Sequence, residues 1–113
     1  MDRLDAYLID ALRDFDPDRI VIFGSRAGGS ARADSDVDVL IVKDDPRRWV
    51  ERVMDATERL YSERLVEARR DLPPFDVLVY TPAEIAERLA LGDPFFAEMV
   101  SGRLVYERPR RAA

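Results

Sequence analysis

Apolar positions along the chain repeat with two different periods. Leu4, Leu8, Ala11, Leu12 and Phe15 recur at helical spacing and predict an amphipathic helix over 3–15. Asp16-Pro17-Asp18 breaks it. Ile20-Val21-Ile22-Phe23 and Val37-Val39-Leu40-Ile41-Val42 are short apolar runs, predicting strands over 19–24 and 36–43. The segment between them, Gly24-Ser25-Arg26-Ala27-Gly28-Gly29-Ser30, predicts a glycine turn and a short helix over 26–33. Asp45-Pro46 reads as an N-cap followed by proline at the first helical position. The helix it opens is predicted to run to about Ala68, with Trp49, Val50, Val53, Met54, Thr57, Leu60 and Tyr61 facing the core.

Leu72-Pro73-Pro74 stops that helix, and Phe75-Asp76-Val77-Leu78-Val79-Tyr80 predicts a third strand. Thr81-Pro82-Ala83-Glu84 has the spacing of a capping box and opens another helix, closed at Gly92. Asp93-Pro94 opens the next, closed at Gly102, and Leu104-Val105-Tyr106 predicts a short edge strand. The order is that of an α/β (α+β) domain over 1–107, with a mixed sheet of three core strands plus an edge strand, flanked by helices. Residues 108–113 read as a disordered basic tail.

Composition narrows the chemistry. The 113 residues suffice for one modest core. The net charge of -5 speaks against a general nucleic-acid binder, which presents a basic face. Of 18 basic side chains only Lys43 is lysine, a bias that runs through the whole chain. With no cysteine and no histidine, thiol catalysis, disulfides, Ser-His-Asp triads and histidine-bound metals are closed to the chain alone. Acid–base or metal work falls to Asp and Glu. The mixed-charge start Met1-Asp2-Arg3-Leu4-Asp5 and the lack of a roughly 20-residue apolar span lead to the expectation of a cytoplasmic protein with no leader and no membrane anchor.

The remaining acids and glycines form a constellation. On a strand, residues i and i+2 share a face, so Asp36 and Asp38 are expected side by side. Two such carboxylates repel unless a cation lies between them, and magnesium is held by carboxylates together with substrate phosphates. Gly24 lets the backbone turn tightly, and Ser25 with the free N–H groups of the helix start faces an anion. A neighbouring third strand would bring Asp76 to the pair, enough for two metal ions or for a general base. Ser35 is placed to orient Asp36, and Arg26 to meet a phosphate. Each has a plainer reading: Ser25 as an ordinary N-cap, the Asp36/Asp38 pair as a solvated strand face, Asp76 as a turn residue, Arg26 as an exposed helix arginine. Trp49, Tyr61, Phe75 and Tyr80 read as core or half-buried aromatics rather than base-stacking groups.

Gly24-Ser25, Ser35-Asp36-Val37-Asp38 and the distant strand residue Asp76 together resemble the DNA polymerase beta-type nucleotidyltransferase superfamily. The size resembles its minimal nucleotidyltransferases, the antitoxins of HEPN/MNT toxin–antitoxin pairs, and the likeness extends to Gly102-Arg103-Leu104-Val105-Tyr106-Glu107. Similar members often read Gly-Ser-Arg-Ala-Arg-Gly, where this chain has Gly28 in place of the second arginine. The resemblance implies a nucleotidyltransferase fold. It also implies that Gly24 and Ser25 hold the triphosphate, beside Arg26 and Ser35 as read above, and that Asp36, Asp38 and Asp76 are catalytic and bind magnesium, two ions in all. ATP would be the substrate and a tyrosine of a HEPN RNase partner the AMP acceptor. Two alternatives stand beside it. One is a binding module that neutralises a helical partner by contact. The other is a small-molecule nucleotidyltransferase that builds its acceptor pocket as a homodimer.

Overall fold

Four strands form one mixed sheet in the order β3-β2-β1-β4. The computed structural model describes residues 2–24 and 36–109. In it β1 spans Arg19–Phe23, β2 Val37–Val42, β3 Phe75–Tyr80 and β4 Arg103–Glu107. β1 pairs antiparallel with both β2 and β4, whereas β2 and β3 run parallel. The parallel pair needs a crossover, and the helix between β2 and β3 supplies it. The predicted helix over 26–33 and residues 110–113 of the tail lie outside the described residues.

Helices cover both faces, so the strands of the middle are apolar on both sides. Alternation divides them. Ile20, Ile22, Val39, Ile41, Val77 and Val79 point to one core, closed by α1 (Arg3–Leu12) and α2 (Trp49–Leu60). Val21, Phe23, Leu40 and Val42 point to the other, closed by α3 (Pro82–Ala90) and α4 (Pro94–Val100). Among the described residues no helix is long and apolar enough to cross a membrane.

Local signals explain most boundaries. The Asp2 carboxylate caps α1 by accepting from the Leu4 N–H at 2.7 Å. A 3-10 turn tightens the chain over Arg13–Phe15, and Asp16 then adopts a left-handed conformation (φ 56°) before Pro17. Thr81 and Glu84 form the expected capping box: the Glu84 N–H donates to Thr81 Oγ1 and the Thr81 N–H to Glu84 Oε1. Asp93 caps α4 by accepting from the N–H groups of Phe95 and Phe96. Gly92 takes the left-handed position after α3, with φ 76°. Gly102 follows α4 for another reason. A Cβ there would strike the Ile22 carbonyl oxygen and stand 3.0 Å from Phe23 Cα, so the turn rests on the end of β1.

Several expectations about α2 are corrected. The helix starts at Trp49, not at Pro46, and ends at Leu60, not near Ala68. Asp45 is not its cap: the carboxylate is buried and taken by the Arg47 backbone N–H and guanidinium. Glu51 instead accepts from the N–H of Arg48. The buried stripe is Arg52, Ala56 and Leu60, whereas Trp49, Val50, Met54 and Tyr61, expected inside, are exposed. Arg52 can be buried because its guanidinium donates to the Arg47 and Val79 carbonyls and pairs with Glu84 at 2.8 Å. Beyond Leu60 the chain makes a 3-10 turn over Glu63–Leu65 and further turns to Pro73. Arg69 donates to the Tyr61 and Ser62 carbonyls there. Arg108, read as part of a loose tail, is tied down: its N–H donates to the Asp18 carbonyl, and its side chain pairs with Asp16 and Asp18.

Candidate active site

The end of the sheet at which β1 finishes and β2 and β3 begin gathers the acids. Asp38 is the second residue of β2, opposite Phe23 of β1 on one side and Asp76 of β3 on the other. Both aspartates lie in the alternation that includes Leu40, Val42, Leu78 and Tyr80, so they share the face covered by α3 and α4. Asp36 stands one residue before β2 and is exposed. The register itself thus brings Asp38 and Asp76 together across neighbouring strands, a placement that spacing along the chain does not contain.

Gly24 follows β1 and lies against Asp38 of the pair. Its φ of 73° is left-handed, and a Cβ built on it would run into Asp38 Oδ2. The glycine therefore does two things: it turns the chain and it lets the carboxylate lie against bare backbone. Charge leaves its mark on the same group. The Asp38 carboxyl is pushed above its ordinary value, first by partial burial and then by the carboxylates of Asp76 and Asp36. Such crowding is relieved by a cation or a proton. The donor set suits a hard divalent ion, being all carboxylate oxygen. As the side chains stand, no group of three or more acidic side chains among the described residues closes into a metal cage. The fit lies in donor chemistry and strand register.

Of the residues expected in the site, the structure brings Gly24, Asp38 and Asp76 together and sets Asp36 beside them. Ser25, Arg26 and Ser35, and with them Gly28, lie outside the described residues. Two aromatics near the site were not anticipated. Phe23, the strand partner of Asp38, is buried, and Phe95 at the start of α4 meets its ring edge-on with centroids 6.0 Å apart. The Asp93-Pro94 cap placed Phe95 in the first turn of a helix, but only the tertiary fold lays that turn on the end of β1.

The family model described as a nucleotidyltransferase domain matches residues 6–106. A solved structure described as "Crystal structure of the toxin-antitoxin with AMP-PNP" superposes with a TM-score of 0.54 at 16% identity. The alignment covers 92% of this chain and 73% of that one. No curated protein matches the chain.

Proposed function

The chain belongs to the nucleotidyltransferase domain family, and from that premise we propose that it transfers AMP from ATP to a hydroxyl of a partner protein, acting as an antitoxin. The reading rests above all on Asp38 and Asp76, held in register on adjacent strands, with Asp38 against the bare backbone of Gly24. Support for the partner comes from the similarity in fold to a chain from a toxin–antitoxin structure solved with AMP-PNP. A tyrosine of a HEPN RNase toxin is the acceptor we expect.

In this reading Asp36, Asp38 and Asp76 would hold divalent magnesium, which when bound neutralises phosphate charge and favours displacement at phosphorus. Gly24 and Ser25 bind the triphosphate through backbone N–H groups and a hydroxyl. The acceptor oxygen attacks the α-phosphorus, the bond to the bridging oxygen of pyrophosphate breaks, and Asp76 takes the acceptor's proton. Asp38, close to Gly24, sets where the α-phosphate lies.

Intact-mass spectrometry on the protein and a candidate partner, incubated with magnesium and ATP, tests this. Gain of one or more adenylates on the partner, lost with Asp36→Asn, is the expected result. The exposed stripe of Trp49, Val50 and Met54 on α2 favours a second reading, a module that neutralises a partner by contact. A stable complex, no adenylate, and unchanged protection by Asp36→Asn would move the assignment there.

A further inference from the structure

Phe95 is one of several large apolar side chains that this small domain leaves exposed, with 46% of its surface in solvent, and what sets it apart is where it lies. Its neighbour Phe96 does the core work of the helix start: it is buried and lies 4.8 Å from the Tyr80 ring. Phe95 meets Phe23 at an interplanar angle of 82° and Phe96 at 83°, so neither ring stacks flat on it. The ring is nonetheless held in place, because those two neighbours are themselves buried and Asp93 fixes the backbone N–H groups of both Phe95 and Phe96.

Its location is specific. Phe23 touches Phe95 by its ring and is the strand partner of Asp38; the next residue in the chain is Gly24. Phe95 is thus two contacts from the proposed phosphate and metal site. It lies on the face of the sheet to which Asp38 and Asp76 belong, since Phe23 and α4 share that core. Gly102, just after α4, approaches the backbone of the same strand end closely, so α4 is seated on the end of β1 from both of its ends.

We propose that the exposed Phe95 ring is the platform on which the nucleobase of the nucleoside triphosphate stacks. This rests on the nucleotidyltransferase reading of the acids and goes beyond it by assigning the base to a face of the molecule. A nucleotide whose phosphates lay at Gly24 and Asp38 would extend its base away from the acids, and Phe95 is, among the described residues, an exposed ring packed against that strand end. Stacking on a π-face accepts any base, and purines stack most extensively, so the platform confers affinity with a purine bias rather than strict base choice. Phe95 is a binding residue here and takes no part in the chemical step.

The test compares binding of magnesium–ATP with that of magnesium–tripolyphosphate, by calorimetry, to wild type, Phe95→Ala, Phe95→Leu and Phe95→Trp. Loss of a stacked ring weakens binding of a base by roughly 10-fold or more. Phe95→Ala and Phe95→Leu are expected to lose that factor for ATP and nothing for tripolyphosphate, with Phe95→Trp retaining it. Leucine keeps apolar area without a π-face, so it separates stacking from packing, and a melting curve for each variant reports folding. ATP binding unchanged in Phe95→Ala, or ATP and tripolyphosphate weakened alike, overturns the platform and leaves the acid site standing. Wild type that binds neither ligand overturns both.

Discussion

Replacing Gly24 with alanine separates two costs that the structure places on one residue. The first is backbone: at φ 73° a residue with a Cβ is strained, by ~1–2 kcal/mol. The second is contact, because the new Cβ would occupy the space of Asp38 Oδ2 and force that carboxylate off its rotamer, at about 0.5–1.5 kcal/mol. Gly24→Ala is therefore expected to destabilise by about 1.5–3.5 kcal/mol. Gly92 is the internal control, with φ 76° and nothing within 4 Å of the Cβ that alanine would add. Gly92→Ala should cost the backbone part alone, ~1–2 kcal/mol. Near this chain length each kcal/mol moves the melting temperature by about 4 °C, so the two variants separate in a thermal scan. A double-mutant cycle isolates the contact: in an Asp38→Ala background Gly24→Ala should cost no more than Gly92→Ala does in wild type. In transfer assays Gly24→Ala should lose roughly 100-fold through misplacement of the carboxylate, with Gly92→Ala near wild type. Equal cost of Gly24→Ala in the two backgrounds would refute the close contact between Gly24 and Asp38.

Asp38→Asn should melt above wild type at neutral pH without divalent cation. The raised carboxyl of Asp38 means that its charge opposes folding above its folded-state value, an opposition that lifts as pH falls through it; a lower melting temperature for the variant contradicts this. Asp45 has the opposite sign. Its hydrogen bonds to Arg47 hold the carboxyl down at about 2 from an ordinary 3.8, so it stabilises above pH 3.8 and the contribution disappears as pH falls through 2. That step amounts to about 2 kcal/mol, and Asp45→Asn should flatten it in an acid-unfolding series. Glu84→Ala strands the buried Arg52 guanidinium, but Glu84 is itself 40% exposed, so solvent screening limits the loss to about 1–3 kcal/mol. Chemical denaturation should rank it well above Glu67→Ala, whose pair with Arg70 is exposed on both sides.

Short-range chemistry was legible in the sequence and long-range partnership was not. Thr81 and Glu84 sit three residues apart and satisfy each other, so their spacing suffices. Asp45-Pro46 offered an equally good local signal and misled, because Arg47 captured the Asp45 carboxylate before the helix could. On α2 hydropathy placed Trp49, Val50 and Met54 inward. The fold turns Arg52 inward instead, and the partner that makes this tolerable, Glu84, lies on another helix. The acids were visible as residues at a strand end, and the sheet class with them. That Asp76 lands opposite Asp38, and that Gly24 must be bare for Asp38 to fit, depends on strand register and backbone approach. Phe95 gave no signal because its contact with Phe23 on β1 is made only in the tertiary fold.

The direction of β4 determines how the molecule can be handled. Glu107 pairs with Arg19 and Arg103 with Ile22, so the strand runs away from the acids and the chain reaches Arg108 at the opposite pole. Arg3 at the start of α1, by contrast, donates to the Ala68 carbonyl and pairs with Asp71, just ahead of the Pro73-Pro74 approach to Asp76. A label, surface tether or fused protein joined after Pro109 would leave from the distant pole, with Arg108 anchored to Asp16 and Asp18 as a natural strain relief. The same attachment ahead of Asp2 would leave from the acids' end of the sheet, on the face closed by α1 and α2 rather than the one the acids share.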